Sequence, residues 1–340
     1  MVCWVNIIGS IRNRMKLTMK SKRPAVLGFD TSNYTTSVAL MDINGEVLAS
    51  DRKLLTVPEG SRGLRQSDAL FQHVKKLPEL LEKMKPELSV TDIIGIGASV
   101  TPRPVEGSYM PVFLAGEAVA RSMAAREGVP FCPFSHQEGH VAAGLWSEGV
   151  VYTDSFFALH LSGGTTELLE ITPKNNSGYD IVIASSTKDI SIGQLVDRVG
   201  VSMGYSFPAG PQLEEIALRW DGELISIPGG VKGLDLNFSG PETFLQKKIK
   251  ESQNPSLIAR SLFQFLGKSI SKWLLNHHRL RPIPLLLVVG GVASNSIFRK
   301  ALDEDMAKMA EVIYAQPEHC SDNALGVCAL TIQQLGYHKG

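Results

Sequence analysis

The sequence predicts an α/β protein built from two related domains, with a ligand-binding cleft between them. One observation is a pair of similar hairpin patterns, "DTSNYTTS" at residues 30–37 and "SGGTTE" at residues 162–167, each near the start of one half of the chain. In both halves predicted strands precede predicted helices, which is typical of α/β folds. The length of 340 residues also favours two domains over one. Clefts between domains commonly hold small-molecule sites.

The first predicted domain spans residues 24–150. Residues 25–42 have a strand, turn and strand pattern, and residues 93–101 form a further apolar strand pattern. Apolar residues at helical spacing predict helices over residues 67–84 and 112–127. A short strand at 129–134 precedes the segment "SHQEGH".

The second predicted domain spans residues 151–320 and repeats this order. Its hairpin covers residues 155–172, and a third strand is predicted at 180–187. Helices are predicted over 192–203, 212–219, 242–251, 255–277 and 294–309. The apolar run "IPLLLVVGG" predicts a buried strand, and 311–315 a last one. A helix within 321–337 is predicted to close the first domain.

This layout resembles that of the actin, hexokinase and heat-shock ATPase superfamily. In that layout a nucleotide lies in the cleft, and the two hairpin turns offer backbone N–H groups and hydroxyls to its phosphates.

The composition excludes several classes of protein. Hydrophobic residues make up 44% and charged residues 20%, as in soluble globular proteins. Because 34 basic residues balance 34 acidic ones, no overall charge favours nucleic acid or anionic membranes. The four cysteines form no CxxC pair, which fits a reducing compartment. We therefore expect a cytoplasmic protein with no membrane partner.

The first 23 residues differ from the rest, because they hold six basic residues and no acid. Their apolar run is short and precedes the charges, so the segment is a poor signal peptide. We expect a disordered tail or a start codon placed too early, with Met19 as the alternative start and an organellar transit peptide as a further alternative.

The segment "SHQEGH" places His136 and His140 four residues apart, with Glu138 between them. On a helix these two imidazoles share one face, as metal ligands do. Asp322 in "CSDNALG" would complete a site of two imidazoles and one carboxylate, suited to Fe or Zn. The alternatives are an acid or base near a catalytic site, ordinary histidines at a helix start, and for Asp322 a helix N-cap.

Two further segments have features of nucleotide sites. In "HLSGGTTE", Gly163 and Gly164 allow close backbone approach, and Ser162 adds a hydroxyl. In "GGVASNSIFR", a buried strand ends in two glycines before a helix capped by Ser294 or Asn295. The alternatives are an ordinary hairpin turn and an ordinary capped helix. Asp197, considered alone, is typical of a solvated helix face.

Taken together, six segments resemble the Gcp/TsaD glycoprotease-like family, which transfers a threonylcarbamoyl group to N6 of adenosine in tRNA. They occur in the family's order and span about residues 25–335. The segments are "SHQEGH", "LHLSGGTTELL", "VDRVGVSMGYSFPAGPQLEEIA", "LDLNFSGPETFL", "VVGGVASNSIFR" and "PEHCSDNALG".

The resemblance implies a role for each matching residue. A divalent Fe or Zn ion would be held by His136, His140 and Asp322. Threonylcarbamoyl-AMP, or another adenine nucleotide, would be bound at its phosphate by His160, Leu161, Ser162, Gly163 and Gly164. Its adenosine would contact Asp197, Gly210, Glu214 and Asn295. The implied partners are tRNA, a homologous dimerising protein and an ATPase.

Four segments depart from the family pattern. Asn33, Tyr34 and Thr35 replace an acidic hairpin tip, and Thr165 replaces a histidine. Pro241 and Glu242 replace Leu-Lys, and "TPRPVEGSYMP" replaces a Gly-Pro-Gly loop. The alternative function is therefore a non-catalytic paralogue that binds nucleotide and metal and acts through protein partners.

Two other activities are weaker alternatives. A sugar or acetate kinase of the same superfamily would have no use for HxxxH. An endopeptidase would need HExxH, in which the glutamate directly follows the first histidine. A candidate tRNA surface is a run of basic residues on the predicted helices. The alternative is that these residues form an ordinary solvated helix face. The run consists of Lys247, Lys248, Lys250, Arg260, Lys268, Lys272, Arg279 and Arg281.

Overall fold

The computed structural model describes residues 22–32, 34–57, 64–150, 152–316 and 323–337. It contains two five-stranded sheets with helices packed against them, and the predicted α/β class is confirmed. Asn33 and Asp322 lie outside the described residues.

The first sheet has the order β3-β2-β1-β4-β5. Its strands are β1 (Arg23–Thr31), β2 (Thr35–Asp42), β3 (Val47–Leu54), β4 (Thr91–Thr101) and β5 (Phe131–Ser135). The first three strands form an antiparallel meander, and β4 and β5 then run parallel to β1. The helices of this half are α1 (Gln66–Lys83), α2 (Lys85–Val90), α3 (Phe113–Glu127) and α4 (His136–Ser147).

The second sheet repeats the plan of the first, with the order β12-β11-β6-β7-β8. Its strands are β6 (Phe156–Leu161), β7 (Thr166–Pro173), β8 (Tyr179–Ser186), β11 (Leu285–Val289) and β12 (Glu311–Tyr314). Again a three-stranded antiparallel meander is extended by two parallel strands. The two halves are therefore related in topology, as the paired hairpin patterns predict.

Six helices and a short sheet complete the second half and the end of the chain. The helices are α5 (Ile192–Ser202), α6 (Gly210–Ala217), α7 (Ser239–Lys250), α8 (Pro255–Leu280), α9 (Ser296–Met306) and α10 (Leu325–Gln334). The small sheet pairs β9 (Gly230–Lys232) with β10 (Asp235–Asn237). Among the described residues, no helix combines the length and hydropathy needed to cross a bilayer.

Helix α4 lies between the two sheets. Gly144 of α4 faces Leu287 and Val289 of β11, where a methyl group would approach within 3.1–3.3 Å. Helix α10 packs against the first sheet, and the Cys328 side chain fills the space above Gly28 of β1. At the start of α4, Gln137 N donates to Pro102 O in the loop after β4, so this helix contacts both halves of the chain.

Several predicted bounds differ from the structure. Strands β3, β9 and β10 were not predicted, because β3 mixes half-buried and exposed residues and the other two have three residues each. Helix α6 begins two residues earlier than predicted, and α8 ends three residues later. Strand β1 begins at Arg23, inside the predicted tail, since the backbone of Arg23 pairs with Thr91 of β4. The domain boundary at residue 150 stays a prediction.

Candidate metal and nucleotide site

The start of α4 is fixed by a capping box. Ser135 Oγ accepts a hydrogen bond from Glu138 N at 3.2 Å, and Glu138 Oε2 accepts one from Ser135 N at 2.8 Å. This cap sets the helix register, so that His136 and His140 occupy the same face of its first two turns.

The second carboxylate oxygen of Glu138 is also used. Its Oε1 accepts a hydrogen bond from Tyr179 N at 3.0 Å and lies 3.8 Å from Lys174 Nζ. Glu138 is buried and ties α4 to β8. A carboxylate engaged in this way acts as a structural group, and it is not free to serve as a base.

The two histidines converge through their Nε2 atoms, which lie 3.0 Å apart. The other ring nitrogen of His136, Nδ1, lies 2.8 Å from Asp30 Oδ1, and Asp30 is only 1% exposed at the end of β1. A carboxylate on Nδ1 orients the ring so that Nε2 is directed at His140, and metal-binding histidines commonly have such a carboxylate partner. The chemistry and spacing of this pair fit a divalent ion.

A third ligand is not defined within the described residues. No group of three His, Cys, Asp or Glu side chains there has the spacing of a metal site. The predicted third ligand, Asp322, lies outside the described residues. The ring of His160 is the nearest additional imidazole, with its centroid 5.3 Å from that of His140.

The first hairpin, between β1 and β2, is held by a buried histidine of α1. His73 is fully buried; its Nε2 donates to Ser32 O at 2.8 Å and its Nδ1 accepts from Thr36 Oγ1 at 2.8 Å. Because a carbonyl can only accept, the Nε2 proton is assigned by its partner. Burial lowers the pKa of His73, so the ring is neutral.

The second hairpin, between β6 and β7, is open to solvent at its tip. Ser162 N donates to Thr165 O at 2.9 Å, while Ser162 Oγ accepts from Thr165 N at 3.1 Å. Gly163 and Gly164 are exposed, and a Cβ on either would meet no atom within 4 Å. The side chain of Leu161, a residue also predicted to line the site, is fully buried in the core.

Helix α5 begins directly behind this open turn. Its N-cap Ser191 donates to Gly163 O at 2.7 Å, and Ile192 N donates to Thr166 Oγ1 at 2.8 Å. Gly193 is needed here, since a Cβ would lie 2.5 Å from Ser162 O. The positive end of the α5 dipole therefore lies at the hairpin, which favours an anion.

The predicted adenosine contacts lie at the starts of α6 and α9. Asp197 Oδ1 accepts from Ala209 N at 2.8 Å, next to Gly210, and burial raises the pKa of Asp197. Glu214 Oε1 accepts from Ser296 N at 2.7 Å, next to Asn295. These hydrogen bonds join α5 to α6 and α6 to α9.

The side chain of Asn295 serves as the N-cap of α9. Its Oδ1 caps α9 by accepting from Phe298 N at 2.9 Å, whereas Ser294 Oγ donates to Gly291 O. Of the two caps that the sequence allowed, Asn295 is the one used. Its amide nitrogen is the atom left to address a ligand.

The altered residues of the second half have local partners. Glu242, which stands where the family has lysine, accepts from Arg198 Nη1 at 3.0 Å. The negative charge of Glu242 is therefore balanced by Arg198, which directly follows Asp197 in the chain.

Four of the eight residues of the predicted basic run pair with neighbouring acids. Lys248 lies 2.8 Å from Glu251, Lys268 lies 2.9 Å from Glu304, and Arg281 pairs with Glu170. Lys247 also lies 3.9 Å from Glu251. This pairing favours the solvated-helix interpretation over a tRNA surface at this place.

Comparison with known proteins shows the family and the fold. The model of the family "tRNA N6-adenosine threonylcarbamoyltransferase" (TsaD) matches residues 46–327, more than half of the chain. In structure, the chain is similar to component A of (R)-2-hydroxyglutaryl-CoA dehydratase from Acidaminococcus fermentans, at 14% identity and a TM-score of 0.54, covering 92% of this chain and 99% of that one.

Two other solved structures share the fold. The activator of 2-hydroxyisocaproyl-CoA dehydratase from Clostridium difficile, with bound ADPNP, has 13% identity and a TM-score of 0.51, covering 92% of this chain and 96% of that one. HypF from T. kodakarensis has 15% identity and a TM-score of 0.53, covering 93% of this chain and 48% of that one. These likenesses confirm the predicted α/β fold with two related halves. The chain belongs to the TsaD family of tRNA N6-adenosine threonylcarbamoyltransferases.

Proposed function

We propose that the protein transfers the threonylcarbamoyl group of threonylcarbamoyl-AMP to N6 of adenosine 37 in tRNA. The observation that carries this proposal is the convergence of His136 Nε2 and His140 Nε2 at 3.0 Å, with Asp30 on the far side of the His136 ring. The ring of His160, which leads into the open hairpin turn, lies beside the pair.

Different groups of the chain would bind the phosphate and the adenosine of threonylcarbamoyl-AMP. The Ser162–Thr165 turn and the N-terminus of α5 would receive the phosphate, because backbone N–H groups and a helix dipole favour an anion. The adenosine would be contacted by Asp197, Gly210, Glu214 and Asn295. The threonylcarbamoyl group of the bound adenylate would then face α4.

His136 and His140 would hold one divalent Fe or Zn ion, with Asp322 as the proposed third ligand. When bound, the ion would act as a Lewis acid and orient the threonylcarbamoyl carbonyl. Asp30 holds the His136 ring in the orientation that presents Nε2. We further propose that the reaction takes place in the cytoplasm, with a dimerising protein and an ATPase as partners.

One observation favours the alternative function, a non-catalytic paralogue that binds nucleotide and metal and acts through partners. The first hairpin lacks the family's acidic tip, and His73 anchors it to α1. An anchored, non-acidic tip would leave ligand binding intact while removing a group that the transfer step uses.

Transfer is tested with tRNA that lacks the modification, a source of threonylcarbamoyl-AMP, and the proposed partners. Nucleoside mass spectrometry should detect threonylcarbamoyladenosine with the wild type and a strong loss with His136→Ala. Binding of AMP without any product, under conditions in which an ordinary family member forms it, would support the non-catalytic alternative.

A further inference from the structure

A pair of charged residues joins the two halves of the chain near the histidines and has no role in the function proposed so far. Arg103, in the loop after β4, donates from Nη2 to Glu167 Oε1 of β7 at 2.7 Å. The two residues belong to different halves of the chain, because β4 and β7 lie in different sheets.

The loop fixes Arg103 next to the start of α4. Pro102 O accepts a hydrogen bond from Gln137 N at 3.1 Å, within the first turn of that helix. Arg103 N donates to Ser108 Oγ at 3.0 Å, and Arg103 O accepts from Thr101 Oγ1 at 3.1 Å. The guanidinium therefore extends from an anchored backbone.

Glu167 connects this pair to the histidines. It lies directly opposite His160 in the antiparallel pairing of β6 and β7, so both side chains share one face of the sheet. The His160 ring lies 5.3 Å from the His140 ring. Arg103 and Glu167 thus border the place where the acyl end of a bound adenylate would lie.

The two partners differ in how well their polar atoms are satisfied. Glu167 is only 8% exposed, and its Oε2 is buried without a hydrogen-bond partner among the described residues. Such an oxygen is costly to leave unpaired. The Arg103 side chain is 40% exposed, and the bond to Glu167 uses one of its five N–H donors.

We propose that Arg103 and Glu167 recognise an acyl group that carries a carboxylate beside an N–H or O–H donor. The guanidinium binds the carboxylate, for which its planar set of donors is suited, and Glu167 fixes its orientation. Glu167 Oε2 accepts the hydrogen bond of the ligand's donor.

The threonylcarbamoyl group has both features, so the identity of this ligand rests on the proposed function. In the proposed function the Ser162–Thr165 turn receives the phosphate, which leaves the carboxylate for Arg103. The arginine stands in "TPRPVEGSYMP", where the sequence departs from the family's Gly-Pro-Gly loop. This contact is therefore a property of this chain.

Binding of three probes to purified full-length protein tests the inference. The probes are AMP, a non-hydrolysable threonylcarbamoyl-AMP analogue, and the same analogue with its carboxylate converted to a neutral methylamide. The wild type should prefer the acid analogue to the other two. Arg103→Gln should weaken binding of the acid analogue by about tenfold or more, and change AMP and methylamide binding less than twofold. Glu167→Gln should show the same selectivity with a smaller loss.

Arg121→Gln is the matched control, because Arg121 also lies 2.7 Å from a glutamate, Glu117, but on the exposed face of α3. It should leave all three affinities unchanged. An equal loss for all three probes in Arg103→Gln would overturn the inference and make the pair a structural link between the halves. A selective loss for AMP would also overturn it, since Arg103 would then bind phosphate.

The two proposals fail in distinguishable ways. A wild type that prefers the acid analogue, with the preference unchanged in Arg103→Gln, contradicts the inference alone. A wild type that does not distinguish the analogue from AMP contradicts both this inference and the ligand assigned in the proposed function.

Discussion

The two hairpins occupy equivalent places in the two sheets, yet their tips are fixed in different ways. The first is anchored from outside, by His73 of α1 on Ser32 and Thr36; its tip residues Ser32 and Thr35 are buried, while Tyr34 between them is exposed. The second is held by its own Ser162 and by the start of α5, and its two glycines face solvent.

This difference indicates that two hairpins at equivalent positions in the two sheets have different roles. The first hairpin ends a strand that carries Asp30, so its rigidity positions the His136 ring. The second exposes Gly163 and Gly164, which would allow the close approach of the phosphate that we propose. The structural hairpin is the one in which the sequence departs most from its family.

Removing the His73 side chain, which anchors the first hairpin, should have the largest effect of the changes considered, and that effect is on stability. His73→Ala deletes a fully buried ring and leaves Ser32 O and the Thr36 hydroxyl without their partner. We expect the free energy of unfolding to fall by about 3 kcal/mol, measured by urea denaturation. His278→Ala is the control, because its ring is only partly buried and accepts a single described bond, from Ile283 N. Equal losses in the two variants would refute the anchoring role.

The next effect should appear in metal affinity. Asp30→Asn removes the carboxylate charge that orients His136 through Nδ1. We expect Zn²⁺ or Fe²⁺ to bind about 10- to 100-fold more weakly, measured by competition with a chelator. Asp42→Asn is the matched control, since Asp42 is equally buried in the first sheet but pairs with Arg23. Unchanged metal affinity in Asp30→Asn would contradict a role of the first hairpin in metal binding.

A smaller effect should appear in the dependence of stability on pH. Burial lowers the pKa of His73 below its ordinary value of 6.5, so the unfolded chain binds a proton that the folded chain does not. Stability contributed by the neutral ring is complete above pH 6.5 and is lost as the pH falls below that value.

The measurement is urea denaturation between pH 5 and 8 for the wild type and His73→Gln. Burial also lowers the pKa of His277, which remains in both proteins and cancels in the difference. The wild type should lose more stability than the variant towards acid. Parallel curves would mean that His73 is not neutral in the folded protein.

The sequence predicted some local arrangements at the candidate site. The placement of His136 and His140 on one helix face follows from helical periodicity within one element, whereas the cap at Ser135 was not predicted. The open turn at Gly163 and Gly164 is likewise a short-range property. Such features depend on residues within a few positions, which a pattern can detect.

The remaining contacts join residues that are far apart in the chain. Asp30 lies 106 positions before His136, and Arg103 lies 64 positions before Glu167. His73 gives no signal in its helix beyond a polar residue at a buried position. These contacts arise from the packing of one element on another, which no local spacing specifies. The departure at residues 33–35 was visible in the sequence, but the anchor behind it was not.

The central claim is that the second hairpin receives the nucleotide phosphate by close backbone approach. Gly164→Val tests it directly, because a Cβ at this exposed position meets no atom within 4 Å, so we expect stability to be unchanged. Calorimetric titration should show AMP binding weakened by about tenfold or more, because the hydrogen bonds to a charged group are lost, with adenosine binding unaltered. Equal affinity of Gly164→Val and wild type for AMP would contradict the claim.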